Sequence, residues 1–256
     1  MGKIKDEIWE ALFPSNIYCI VCGSLIDRSR PYSMCDECIE KIHWISDVRT
    51  CSRCGKGLPD TFQGDVCYNC MTVDHSFSKG FSCMTYGLYE RDIMMDIKYN
   101  GKGYMAVKMG EVLADKFMSA IVPEGIRPQL AVPVPVSRER LKERGYNQAE
   151  LMAKNMVRIL RKNNIDISLK SSLLERRKNT YMLRSMNPAE RRLAMERAFA
   201  VPKCMEKTLK GKDVLLIDDI FTTGATADAC SRALIEAGAG NVYFISLASG
   251  GNVKAQ

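Results

Sequence analysis

Histidine is almost missing from this 256-residue chain, which contains only His43 and His75. Both lie among the cysteine pairs of the N-terminal third, so a histidine-based catalytic triad in the remainder is excluded, and both read as structural residues. Long apolar runs are missing too. None approaches the roughly 18 residues a membrane span requires, and Met1–Ser15 carries too much charge for a secretory signal. The expected compartment is therefore the cytoplasm. Charge of one sign is scarce only locally: the net charge of +7 is the balance of one strongly basic segment and three weakly acidic ones. Residues 127–210 hold twenty Lys and Arg against eight Asp and Glu, a net of +12, whereas 1–83, 84–126 and 211–256 carry −2, −1 and −2. A concentrated basic segment is the footprint of a polyanionic partner; the plainer alternative is a solvated helix face beside a phosphate pocket.

What is abundant is cysteine, eleven in all. In a chain without an export signal, that number points to metal binding rather than disulfides. Cys19-x-x-Cys22-Gly23 and Cys35-x-x-Cys38 recur 32 residues later as Cys51-x-x-Cys54-Gly55 and Cys67-x-x-Cys70. Twelve residues separate every successive pair, so spacing alone does not say which pairs share a metal. The glycine after Cys22 and Cys54 alone makes the repeating unit two pairs long. One zinc is therefore expected on Cys19, Cys22, Cys35 and Cys38, and a second on Cys51, Cys54, Cys67 and Cys70. Four thiolates leave no open position, so both sites are structural, and segments this short and polar need the metal to fold. Disulfide or iron–sulfur ligation is the alternative for the same spacing. Cys83, Cys204 and Cys230 lack such spacing and read as small core residues.

The stretch Val214–Thr226 organises the rest. Val214-Leu215-Leu216-Ile217 reads as a buried strand, Asp218-Asp219 follows, and Thr222-Thr223-Gly224-Ala225-Thr226 opens a helix expected over 227–236. A helix N-terminus beyond the carboxyl end of a strand is a natural phosphate cradle. The carboxylates are suited to a vicinal diol, so the combination fits a ribose carrying a 5′-phosphate. The plainer alternative is a strand ending in Asp, with Asp and Thr capping the next helix. The pattern resembles the phosphoribosyl-pyrophosphate (PRPP) loop of type I phosphoribosyltransferases. That resemblance implies that Asp218 and Asp219 hold the ribose hydroxyls and that Thr222, Thr223, Gly224, Ala225 and Thr226 hold the 5′-phosphate.

Along the chain, Ile4, Ile8, Trp9 and Leu12 suggest a short helix. After a boundary near 81–84 come a strand over 84–89, a helix over 91–98 stopped by Asn100-Gly101, and a longer helix over 104–122 with Met105, Met109, Val112, Leu113 and Phe117 inward. Leu130–Val136 is a second buried strand made irregular by Pro133 and Pro135. It leads into a loop over 137–148 and a helix over 149–162. Ser137, Arg138, Arg140 and Arg144 in that loop suit pyrophosphate, because guanidinium forks match phosphate oxygens. A basic hairpin over 173–179 precedes a helix over 188–197, and the chain ends with a helix over 227–237 and a strand over 242–247. Strands alternating with helices imply a parallel sheet.

Taken in order, the cysteine ribbons, Ile97-Lys98-Tyr99-Asn100-Gly101-Lys102, the Val-Pro-Val-Pro stretch, Arg144-Gly145-Tyr146-Asn147-Gln148 and the PRPP loop are similar to the ComF family of competence proteins. The resemblance implies an α/β fold with a type I phosphoribosyltransferase-like parallel sheet flanked by helices over 84–256, and a small N-terminal helix and double zinc ribbon over 1–83. It also implies PRPP with Mg²⁺ as ligand, and a cytoplasmic role in natural transformation with single-stranded DNA and the competence helicase. Thr180 and Arg191 keep the family pattern, whereas Leu183 and Ala194 replace its Gln and Asn. The loop has no carboxylate to act on a purine, and about nine residues follow the last expected strand, too few for a hood over a nucleobase. PRPP binding is therefore expected, with turnover left open, and the basic segment, the ribbons and aromatic residues such as Tyr99, Tyr146 and Tyr181 are expected to grip single-stranded DNA. An active transferase with an unidentified acceptor, in which Asp218 and Asp219 are catalytic, and a PRPP sensor acting through a protein partner are the alternatives.

Overall fold

The computed structural model describes residues 17–177 and 198–250. The helices expected over 4–12 and 188–197, together with Thr180, Tyr181, Leu183, Arg191 and Ala194, lie outside those residues. The chain divides into two compact units, Met1–Ile42 and His43–Gln256. By compactness the second cysteine group therefore belongs with the sheet, and residue 83, where the sequence pattern changes, falls inside a strand.

The cysteine repeat is also a structural repeat. In the first unit an antiparallel Tyr18–Leu25 bridge closes the Cys19–Cys22 knuckle, and helix α1 (Asp36–Glu40) begins immediately after Cys35. In the second unit a Thr50–Gly57 bridge closes the Cys51–Cys54 knuckle, and α2 (Tyr68–Thr72) begins immediately after Cys67. The short helices place the second cysteine of each pair one turn on from the first, toward the knuckle.

The remainder of the second unit is β1 (Lys79–Tyr86), α3 (Leu88–Tyr99), α4 (Gly103–Lys116) continued by a π-turn at Phe117–Ile121, β2 (Leu130–Pro133), α5 (Arg138–Arg144), α6 (Gln148–Lys162), β3 (Ser168–Leu169), β4 (Glu175–Arg176), β5 (Phe199–Ala200), α7 (Glu206–Leu209), β6 (Val214–Phe221), α8 (Ala225–Glu236) and β7 (Val242–Gly250). Five strands form a sheet in the order β1-β7-β6-β2-β3, parallel throughout, and β4 pairs antiparallel with β5 in a separate two-stranded piece. The expected α/β class with a parallel sheet flanked by helices is thus observed.

Local departures have local causes. The strand expected over 84–89 begins earlier and ends at Tyr86, because Glu90 accepts the Gly87 N–H at 2.9 Å and starts α3. The loop expected over 137–148 is mostly helix: Ser137 Oγ caps the Arg140 N–H at 3.3 Å, and Gly145, at φ 79°, ends α5. Cys83 and Cys230 are buried as expected, but Cys204 is exposed.

Side chains alternate across the sheet. Leu130, Val132, Val214, Leu216, Val242 and Phe244 form one core with α8, with Phe77 and with the second cysteine group. The opposite face packs against α4 and α6. The chain places β3 on one side of β2 and then β6 on the other, so the strand order reverses at β2. In open parallel sheets a crevice opens at such a reversal, beyond the carboxyl ends of the two strands. No helix among the described residues is long and apolar enough to cross a membrane.

Candidate functional site

Strand β6 does not stop before the acidic pair. It continues through Phe221, paired with β7 as far as Phe221 opposite Ser249, while its pairing with β2 ends at Ile217. Asp218 and Asp219 therefore project from a strand whose β2 neighbour has already turned away. Alternation sends them to opposite faces.

Asp219 is buried, and its Oδ2 takes a hydrogen bond from Gln148 Nε2 at 2.8 Å and an ion pair from Lys98 Nζ at 2.9 Å. Burial alone would raise this carboxyl. Lys98 and Gln148 more than offset burial and hold Asp219 below the usual carboxylate range. Asp218 instead faces the cleft beside α8, where it accepts the Asp219 N–H at 2.8 Å. Burial, and then the charge of Asp219, push Asp218 well above its ordinary value. The pair thus divides into one ionised acid and one that holds its proton more tightly.

Lys98 and Gln148 were visible in the sequence only as members of two short motifs, and the structure shows why those motifs go together. Tyr146 donates its hydroxyl to the Ile97 carbonyl at 2.5 Å, Arg144 lies 5.0 Å over the Tyr99 ring, and Arg144 donates to Gln148 Oε1 at 3.1 Å. Residues 97–102 and 144–148 therefore converge on Asp219. Of the basic residues singled out above, Arg144 joins this network. Ser137 is buried as the α5 cap, and Arg138 and Arg140 stand exposed on the helix. On the cleft side, the half-buried Arg176 of β4 lies within electrostatic reach of both Arg140 and Asp218.

Beyond Phe221 the loop turns into α8. Thr222, Thr223 and Ala225 are exposed, Thr226 is half-buried, and Gly224 sits at φ 87° as the residue preceding the helix. Together with Asp218 they line an open cleft. The α8 N-terminus supplies unpaired backbone N–H groups there, a setting suited to an anion. The floor of this loop belongs to the second cysteine ribbon. Lys56 Nζ donates to the Thr222 carbonyl, Asn69 Nδ2 to the Thr223 carbonyl at 3.1 Å, and His75 meets Asp228 of α8 at 2.8 Å. Sequence alone gave no sign of these three contacts.

The two cysteine sets are assembled as expected: Cys19, Cys22, Cys35 and Cys38 form one group and Cys51, Cys54, Cys67 and Cys70 the other, with the sulfurs of each within 4.8 Å of one another. Cys22 to Cys35 and Cys54 to Cys67 are each 3.7 Å between sulfurs. A tetrahedron with Zn–S bonds of about 2.3 Å has edges of about 3.8 Å, so the donor sets fit zinc. None of the eleven cysteines is joined in a disulfide.

Residues 8–71 match the family model described as a double zinc ribbon domain. Competence protein F of Haemophilus influenzae is 25% identical over 91% of this chain and 97% of its own length. Competence protein ComFC of Bacillus subtilis is 25% identical over 91% of this chain and 85% of its own, and the DNA utilization protein YhgH of Escherichia coli O157:H7 is 23% identical over 77% and 82%. These likenesses run through the ribbons and the sheet together, so the chain is similar to the competence and DNA utilization proteins along most of its length.

Proposed function

We propose that this protein binds PRPP at the acidic pair and the Thr222–Thr226 loop, and that it handles single-stranded DNA during natural transformation. The observation that carries the ligand is the junction of β6 and α8. There, one strand delivers two carboxylates and, six residues after Asp219, a helix begins at Ala225. Lys98 and Gln148 both engage Oδ2 of Asp219, and Asp218 Oδ1 takes the Asp219 N–H. In this reading Asp218 and Asp219 take the two ribose hydroxyls. The loop amides and threonine hydroxyls take the 5′-phosphate. We assign Ser137, Arg138, Arg140 and Arg144 to the pyrophosphate, and Mg²⁺, a hard cation that prefers phosphate oxygens, would be held mainly by the ligand itself.

The DNA part rests on the relatives, which are named for competence and DNA utilization, and on the +12 segment over 127–210. Binding of a fluorescein-labelled single strand, followed by anisotropy across a salt series, tests it. The expected log–log slope is about 0.7 per phosphate contact, and Arg177→Ala should reduce the slope by about one contact. An affinity indifferent to salt would remove the DNA part and leave the ligand part standing.

A further inference from the structure

The second cysteine ribbon touches the proposed ligand loop from beneath, at its backbone carbonyls. A trans peptide plane holds its C=O and N–H pointing in opposite directions. Where the carbonyl of residue i is fixed, the N–H of residue i+1 is aimed the other way. Lys56 Nζ fixes the Thr222 carbonyl, and Asn69 Nδ2 fixes the Thr223 carbonyl at 3.1 Å. The N–H groups of Thr223 and Gly224 are thereby turned away from the ribbon side chains that hold those carbonyls. Carbonyl oxygens facing a phosphate would repel it, so this orientation separates a loop that accepts an anion from one that rejects it.

Two further contacts keep the clamp in register. Asn69 Nδ2 also lies 3.2 Å from His75 Nε2, while His75 Nδ1 faces Asp228 Oδ2 at 2.8 Å. With the Nδ1 proton donated to the carboxylate, Nε2 is an acceptor, so the two amide protons of Asn69 serve Thr223 and His75 at once. Asp228 Oδ1 also takes the Ser76 N–H at 2.9 Å, which engages the one carboxylate in the first turn of α8 on the ribbon side. At Gly224 a side chain is excluded, since a Cβ would come within 2.6 Å of His75 Cε1. The ribbon, in turn, is seated firmly. Gly55, in the left-handed region at φ 71°, approaches Gly80 so closely that a Cβ would lie 2.5 Å from the Gly80 carbonyl oxygen, and the Gly80 N–H donates to the Arg53 carbonyl at 2.8 Å.

We infer that Lys56 and Asn69 are positioning residues for the phosphate end of the ligand: the second ribbon orients the Thr223 and Gly224 amides toward the anion through the carbonyls of Thr222 and Thr223. The inference rests on the PRPP reading of this loop and assigns its phosphate affinity to a different part of the chain.

The test uses full-length, zinc-loaded protein with Asn69→Ala, Lys56→Met and the conservative Lys56→Arg. Titration with PRPP and Mg²⁺, and separately with ribose 5-phosphate, is paired with hydrogen exchange at the Thr223 and Gly224 amides, and zinc is counted in each sample. Asn69→Ala and Lys56→Met should each weaken both ligands by about tenfold, the effect of losing one oriented hydrogen bond. Both should also speed exchange at those two amides and leave zinc at two per chain as in the parent, and Lys56→Arg should bind both ligands like the parent. If the parent binds and both variants bind equally well with unchanged exchange, the positioning role is wrong while the PRPP reading survives. If the parent binds neither ligand, the PRPP reading falls, and exchange at Thr223 and Gly224 still decides whether the ribbon orients the loop.

Discussion

Lys98 Nζ and Asp219 Oδ2 stand 2.9 Å apart at the end of β6, both shielded from solvent, with side-chain exposures of 19% and 7%. Two acids adjoin here in a sheet interior, and Lys98 is the cation that lets one of them stay ionised. Breaking a buried pair by removing one partner leaves an uncompensated charge, at a cost of about 3–5 kcal/mol. Lys98→Met should therefore lower stability to urea by about that amount. In Lys98→Met/Asp219→Asn much of the loss should return, because neither charge remains. A double-mutant cycle by urea denaturation reads this directly; additive losses would show that the pair is uncoupled.

Asp218 gives a prediction of the opposite sign. Its carboxyl is raised in the fold by burial and by Asp219, so the folded protein binds this proton more tightly than the unfolded chain does. Its contribution is therefore a penalty that grows as pH rises above the ordinary carboxylate range and is fully present above the raised folded value. Asp218→Asn should be more stable than the parent at neutral pH, by about 1–2 kcal/mol as is common when a functional site is relieved. The advantage should vanish below about pH 4, where the parent is protonated in both states. Asp219 runs the other way: its folded value is depressed, so the stability it contributes is present at neutral pH and lost as pH falls through that value. Thermal melting of parent and Asp218→Asn across pH separates the two contributions.

Removal of metal should be felt at the loop as well as in the ribbon. Structural zinc in such sites supplies about 10–16 kcal/mol of apparent binding energy at neutral pH, and the core of the second unit includes Cys51, Cys54, Cys67 and Cys70 beside Phe77, Phe221 and Phe244. Cys67→Ser should bring the zinc content from two to one per chain and lower the melting temperature of the unit carrying the sheet. Ligand binding at Thr222–Thr226 should be lost with it. A variant with one zinc that melts and binds like the parent would contradict the packing described here.

Much of this was readable because it is local. The cysteine pairing follows from a two-pair period and a glycine, and β6 from four apolar residues in sequence. Helix α5 reads as a loop in the sequence because Pro135 and seven charged or polar neighbours hide a helix of only seven residues; Ser137 and Gly145 are its cap signals. The supports of the site were harder to see. Lys98 and Gln148 reach Asp219 across 121 and 71 residues of sequence, and Asn69 reaches Thr223 across 154. Such contacts depend on how the second ribbon and α6 pack on the sheet, which no periodicity records.

The measurement that bears most directly on the central claim is isothermal titration of PRPP with Mg²⁺ into the parent and into Asp218→Asn/Asp219→Asn, each with and without a short single strand of DNA. Saturable heat in the parent that disappears in the double variant is predicted, with a shift in affinity when the strand is present if the two ligands are linked. A parent that shows neither heat nor thermal stabilisation by PRPP, or a double variant that binds as well as the parent, would contradict the account.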